Sequence, residues 1–323
     1  MVYVLANYGE NHLGFLFTSV YSIRRNAPNA QIFVFWQDIE SDLFTKFQSI
    51  YPEVNFVETK FDIKGSHIVR ISSKTFLWHY AAQYLFDKGF NNACFMDCDT
   101  LLIKDIAHLF KDEFDIAFSV KKDVWPLNTG VLLLKLSLNS VKFLLRWQKL
   151  TLEILHDVNL YNQANIKDYP YGGSDQMSFY KLINYQNEMM VFNDGKVVCK
   201  AYDSEIFNQT ESKALSDTNH IIHYKGGWQP VLLRGRTFKY RPLNDSLPQF
   251  DLFVANYIET KQKFVSFFPS LKNSNIGLNL PSWYDIKRKK VSMGKYVLTK
   301  VISNYEDYST QVMKNLGIGS GNK

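Results

Sequence analysis

ACFMDCDTLLI, from Ala93 to Ile103, sets two carboxylates, Asp97 and Asp99, inside an otherwise apolar run. The run reads as a buried strand. An isolated ionised carboxylate is very costly in an apolar interior, so something positive must meet the pair. Side chains two apart on a strand share a face, so Asp97 and Asp99 can offer oxygens to one divalent ion while Cys98 turns away.

Working outward, short apolar runs alternate with helix-like segments. VYVLAN (Val2 to Asn7) reads as a strand, His12 to Arg25 as a helix, and QIFVFWQ (Gln31 to Gln37) as a second strand. A helix follows near Ser41 to Ile50, a third strand near Val54 to Phe61, and a helix over Ser73 to Phe86 that leads into the aspartate run. DIAFSV (Asp115 to Val120) and GVLLLKL (Gly130 to Leu136) read as further strands, the second entered by the loop WPLNT. Helical spacing returns over Ser140 to His156, and after the turn YPYGG (Tyr169 to Gly173) it resumes in DQMSFYKLI. This alternation predicts an α/β fold, a mostly parallel, Rossmann-like sheet with helices on both faces. In such folds ligands sit beyond the carboxyl ends of the strands. Asn7, Tyr8 and Asp38 follow the early strands, and Asp97 and Asp99 come late in another.

The chain has 323 residues, 46% hydrophobic and 15% aromatic, enough for a substantial core. The opening MVYVLANYGENHLGF has no basic leader before its apolar segment, so no secretory signal is expected. No stretch approaches the roughly 20 apolar residues that span a bilayer, and the expectation is a soluble, cytoplasmic chain. Cys94, Cys98 and Cys199 are too few for a disulfide scaffold. Cys94 and Cys98, on one strand, would lie about 13 Å apart at about 3.3 Å per residue, too far to bridge or to share zinc. Reduced core thiols are expected.

The net charge of +6 is uneven, because eleven basic residues stand against three acidic ones from Lys261 onward. The predicted division is a catalytic domain over 1–240 and a helical, basic extension over 241–323. Phe253, Val254, Tyr257, Ile258, Phe264, Val265 and Phe268 keep helical spacing, and IKRKK precedes a second apolar helix. The extension reads either as a cap packed on the sheet or as a surface helix in peripheral contact with anionic membrane. Nucleic acid is not expected as a partner, since the basic residues form no known recognition signature.

Four segments together, FMDCDTLL, LNTGVLLLKL, GGSDQMSFY and HYKGGWQP, resemble nucleotide-sugar glycosyltransferases of the GT-A fold. Their order and spacing are closest to family 8, the glycogenin and lipopolysaccharide galactosyltransferase group, over roughly residues 1–240. The resemblance implies that Asp97 and Asp99 hold Mn2+ or Mg2+ against the diphosphate of a donor, a UDP-sugar. The departing nucleoside diphosphate gains negative charge as the sugar bond breaks, and a hard divalent cation neutralises it. His223 matches the family's third metal ligand, with Gly226 three residues on. The family then has Lys-Pro-Trp where this chain has Gln229, Pro230 and Val231. The lysine that meets the diphosphate is therefore absent from its usual place, and Lys225, Arg234 or Arg236 could supply the charge.

By the same resemblance Asn128 and Gly130 form a small loop beside the donor sugar, where glycine lets backbone approach closely. The alternative is a plain turn into the strand. Asp175 matches the residue that binds sugar hydroxyls and Gln176 the one beside the anomeric carbon, with Gly172 and Gly173 supplying the bend before them. Asp175 would also suit a helix N-cap. Asn7 and Tyr8 sit where the family contacts the base, Tyr8 by stacking, and Asn7 can equally cap the next turn. Arg70 or Lys74, with Lys74 preferred, matches a basic residue on the diphosphate.

The expected activity is metal-dependent hexosyl transfer to a glycan or lipid-linked glycan, with retention of anomeric configuration as in the family. An aspartate-nucleophile phosphatase also opens its site with Asp-x-Asp after an apolar strand, but this chain has no Asp-Asp pair and its aspartates follow three other strands. A nucleotidyltransferase should carry a glycine-rich phosphate loop after the first strand, where NYGENHLG stands instead. A non-catalytic nucleotide or glycan binder with a degenerate site is the remaining alternative, prompted by Gln229.

Overall fold

The computed structural model describes residues 1–9, 13–39, 41–61, 74–121, 127–157, 159–160, 173–183, 189–192, 197–210 and 218–223. Residues 1–209 and 218–223 form one compact unit. Arg70, Gly172, Lys225, Gly226, Gln229, Arg234, Arg236 and the predicted extension over 241–323 lie outside the described residues.

In chain order the elements are β1 (Val2–Tyr8), α1 (Leu13–Asn26), β2 (Gln31–Gln37), α2 (Ser41–Ile50), β3 (Asn55–Glu58), α3 (Lys74–Asp87), β4 (Asn92–Met96) and β5 (Thr100–Leu102). A 3-10 turn (Ala107–Lys111) leads to β6 (Ile116–Val120), β7 (Leu127–Lys135), α4 (Leu138–His156) and α5 (Ser174–Ile183). The last among the described residues are β8 (Met189–Phe192), β9 (Val197–Asp203), the short α6 (Ser204–Phe207) and β10 (Ile221–His223). Among the described residues eight strands make one sheet in the order β3-β2-β1-β4-β7-β6-β9-β8, and β10 pairs with β5 in a second, small sheet. Four of the seven neighbour pairings in the large sheet are parallel. The others, β4 with β7, β6 with β7 and β8 with β9, are antiparallel. The α/β class and mostly parallel sheet expected from the sequence are present.

The central strands are buried on both sides, as their unbroken apolar runs require. Val131, Leu132, Leu133 and Leu134 of β7 are all buried. Val2 and Val4 of β1 share one core cluster with Leu77, Trp78 and Ala81 of α3 and with Phe143, Leu144 and Trp147 of α4. Trp147 meets Trp78 at 5.9 Å between ring centroids and Phe179 of α5 at 5.1 Å, both edge to face. A fully buried Phe such as Phe179 contributes about 1.5–3 kcal/mol relative to exposure. The indole Nε1 of Trp147 also donates to the Asp175 carbonyl at 2.8 Å, which fixes the first turn of α5.

Two departures from the sequence reading matter for the site. The aspartate run is not one strand: β4 stops at Met96, Asp97 to Asp99 form a turn, and β5 belongs to the other sheet. The apolar character of Thr100 to Ile103 hides this break, because β5 is buried against β10 instead of β7. LNTG, expected as a loop, lies within β7 as an irregularity. The register with β6 jumps from Phe118↔Leu132 to Ser119↔Asn128, leaving residues 129–131 extra on β7. Among the described residues, no helix is long and apolar enough to cross a membrane.

Candidate functional site

From β1 the chain runs outward through β2 and β3 and then returns to place β4 on the other side of β1. The order reverses between β1 and β4, and a crevice at their carboxyl ends is where α/β sheets bind ligands. Asn7 and Tyr8 end β1 there, and Asp97 follows β4. Asn7 is buried and spends its amide locally, Nδ2 donating to the Gly9 carbonyl at 2.8 Å. Tyr8 is half-buried. Cys98 does turn away from the aspartates, its thiol donating to the Ala6 carbonyl at 3.1 Å. All three cysteines are free and buried, and burial pushes each thiol up, Cys199 to about 12.

The turn, not a shared strand face, brings the two aspartates together. Asp97 N donates to the Gly130 carbonyl at 2.8 Å, and Thr100 Oγ1 donates to the Asp97 carbonyl at 2.6 Å. β10 then lays His223 opposite Thr100, one residue from Asp99. The β5–β10 pair is itself held by α1: Asn26 Nδ2 donates to the Leu102 carbonyl at 2.8 Å and Leu102 N donates to Ser22 Oγ at 3.0 Å. As a result His223 Nε2 is 3.1 Å from Asp99 Oδ1 and 3.9 Å from Asp97 Oδ2. Ligand atoms of Asp97, Asp99 and His223 all lie within 4.8 Å of one another. Two carboxylates and an imidazole at that spacing are a donor set that fits a hard or borderline divalent cation such as Mg2+ or Mn2+.

Lys74, the first residue of α3, answers the demand for a positive partner. Its Nζ is 3.3 Å from both oxygens of Asp97 and 3.0 Å from Asp175 Oδ2, and it lies over the Trp78 ring. Burial works against the ammonium charge, but the Asp97 and Asp175 carboxylates outweigh it and hold the pKa above the ordinary lysine value. Asp175 is not a helix N-cap: it stands inside the first turn of α5, mostly buried, and accepts from Thr129 Oγ1 at 3.1 Å. Gln176 beside it is equally buried. Replacing Lys74 by Met leaves two carboxylates facing each other without their cation. The expected loss is about 1–3 kcal/mol of stability, below that of a fully buried pair because all three side chains keep some exposure. Urea unfolding of the two proteins measures it, and an unchanged midpoint would mean that Lys74 is not holding the pair.

Asn128 and Gly130 lie in the irregular stretch of β7. Asn128 Oδ1 accepts from Gly130 N at 2.8 Å. A Cβ built on Gly130 would overlap the imidazole of His223, 2.5 Å from Nδ1, and stand 2.9 Å from Asn128 Oδ1. The close approach that the glycine allows is therefore to the His223 ring. Two further polar residues join the cluster that no motif singles out, Ser119 of β6 and Asn208 after α6, both buried. Asn208 Oδ1 is 2.9 Å from His223 Nδ1. A buried asparagine outside any recognised pattern carries no signal in a single sequence, whereas β9 does: Val197, Cys199 and Ala201 are buried in alternation with the half-buried Val198, Lys200 and Tyr202.

No family model matches the sequence, and no curated protein matches it either. Among solved structures the chain is similar to the galactosyltransferase LgtC in complex with donor and acceptor sugar analogs. Identity is 14%, the match covers 89% of this chain and 100% of that one, and the TM-score is 0.49. It is similar to the glycosyltransferase GlyE of Streptococcus pneumoniae TIGR4 at 15% identity, covering 82% of this chain and 64% of that one, TM-score 0.49. It is also similar to mouse xyloside xylosyltransferase 1 at 12% identity, covering 69% and 97%, TM-score 0.42. These neighbours are glycosyltransferases. The likeness is remote in both sequence and shape, and the functional reading rests on the chain's own residues.

Proposed function

We propose that this chain is a metal-dependent glycosyltransferase that moves a sugar from a nucleotide sugar, a UDP-sugar, to a glycan or lipid-linked glycan, with retention. The observation that carries the reading is the convergence of Asp97, Asp99 and His223 at the carboxyl edge of β1 and β4. Those three residues would hold Mn2+ or Mg2+, which when bound supplies positive charge where the nucleoside diphosphate leaves. Lys74 adds a second positive charge beside Asp97 and keeps Asp175 aligned with it. In this reading Asp175 and Gln176 contact the sugar and steady its developing positive charge, and Asn7 and Tyr8 meet the base. In this reading the departing diphosphate takes the proton of the acceptor hydroxyl on the same face, since no strong nucleophile stands at the site among the described residues. The domain division at about residue 240 is part of the proposal. Membrane contact by the basic extension, which lies outside the described residues, forms no part of it.

The test is release of nucleoside diphosphate from a panel of nucleotide sugars by the full chain with Mn2+. Release from a UDP-sugar is expected, abolished by EDTA and restored by excess Mn2+. Tight nucleotide binding with no release from any donor would favour the non-catalytic binder instead.

A further inference from the structure

The hydrogen bonds behind His223 run in only one direction. They begin at the Asn128 carbonyl, which can only accept. Ser119 Oγ lies 3.2 Å from that oxygen and donates its single proton to it. The hydroxyl must then accept from its other neighbour, Asn208 Nδ2, at 2.7 Å. That fixes the amide: Nδ2 faces Ser119, so Oδ1 faces His223 and accepts from Nδ1 at 2.9 Å. With Nδ1 carrying a proton, the neutral imidazole presents the lone pair of Nε2 toward Asp99 Oδ1 and Asp97 Oδ2. That lone pair and the two carboxylates repel one another unless a proton or a metal cation lies between them, and in the neutral imidazole the relay leaves Nε2, not Nδ1, as the nitrogen that can bind the metal.

The participants are shut away from water, which makes the direction binding. Asn208 is 0%, His223 1% and Ser119 2% exposed. The frame around them is backbone: Asn208 N donates to the Ser204 carbonyl at 3.0 Å, and His223 N donates to the Gln209 carbonyl at 2.9 Å. The register jump at Ser119 is what sets Ser119 opposite Asn128. We infer that Asn208, oriented by Ser119 and the Asn128 carbonyl, is the positioning residue that selects the metal-binding tautomer of His223. This rests on the metal reading of the site given above.

The experiment is a titration of the full chain with Mn2+ alone, following free Mn2+ by electron paramagnetic resonance, for the unsubstituted protein, Asp99→Asn, Asn208→Leu and Asn208→Asp. Leucine keeps the volume and removes the acceptor, and affinity should fall about 10- to 100-fold. Aspartate keeps an acceptor on Nδ1, as in a carboxylate–histidine–metal triad, and should retain the Mn2+ binding that leucine loses. Circular dichroism of the metal-free proteins reports folding. An independent readout needs no substitution: a proton–nitrogen correlation spectrum of the Mg2+-loaded protein should show His223 protonated on Nδ1. Should Asn208→Leu fail to fold, the aspartate affinity and this spectrum decide. Leucine binding as tightly as the unsubstituted protein while Asp99→Asn has lost Mn2+, or a His223 proton on Nε2, overturns the inference and leaves the metal site standing. No Mn2+ binding by the unsubstituted protein overturns the metal reading and the inference with it.

Discussion

Asp99→Asn is expected to abolish nucleoside diphosphate release, by about 10³-fold or more. The substitution keeps the size of the side chain and removes one ligand charge from a three-residue cluster. Lewis-acid stabilisation of a leaving diphosphate supplies several kcal/mol, and each 1.36 kcal/mol is about tenfold in rate. Asp99 is a cleaner choice than Asp97, because Asp97 also pairs with Lys74 and its loss would disturb α3 as well. The measurement is release rate against Mn2+ concentration with a UDP-sugar donor. Near-normal rates at low Mn2+ would remove Asp99 from the metal site. A rate that recovers only at far higher Mn2+ would locate the defect in metal affinity.

Gly130→Ala should be nearly as damaging although it adds one methyl group and touches no charge. The added Cβ would stand 2.5 Å from His223 Nδ1 and 2.9 Å from Asn128 Oδ1, and neither neighbour has room to yield. The imidazole is buried and tied through Nδ1 to Asn208, and Asn128 is tied to the Gly130 amide. Overpacking of this kind costs about 1–3 kcal/mol of stability. The larger effect falls on the site, since displacing a ligand by about 1 Å can cost about 100-fold in rate. Thermal unfolding and Mn2+ titration of the same preparation separate the two losses. Because Gly130 is not among the glycines with positive φ, the need there is for space and not for an unusual backbone. Unchanged Mn2+ affinity in a folded Ala variant would show that His223 can move aside, against the packing argument.

The sequence by itself determined the layered α/β class, because strand and helix periods differ and apolar runs report burial on both faces. It also marked Asp97 and Asp99, since charges inside an apolar run demand a partner. Matched motifs added His223, Asp175 and Gln176 as expectations. Lys74 was legible only as one of two basic residues near the start of a helix. Tertiary structure decided the rest. Thr100 to Ile103 continues the apolar run, so nothing local tells that the chain leaves one sheet for another after Met96, yet that exit makes the turn on which both carboxylates converge. The pairing of Lys74 with Asp175 spans α3 and α5, and the relay from Asn128 through Ser119 and Asn208 to His223 spans four separate stretches of chain. Residue type and spacing encode what a segment buries. Which buried polar groups find one another depends on strand order and register, and those are set only when the whole sheet closes on its core.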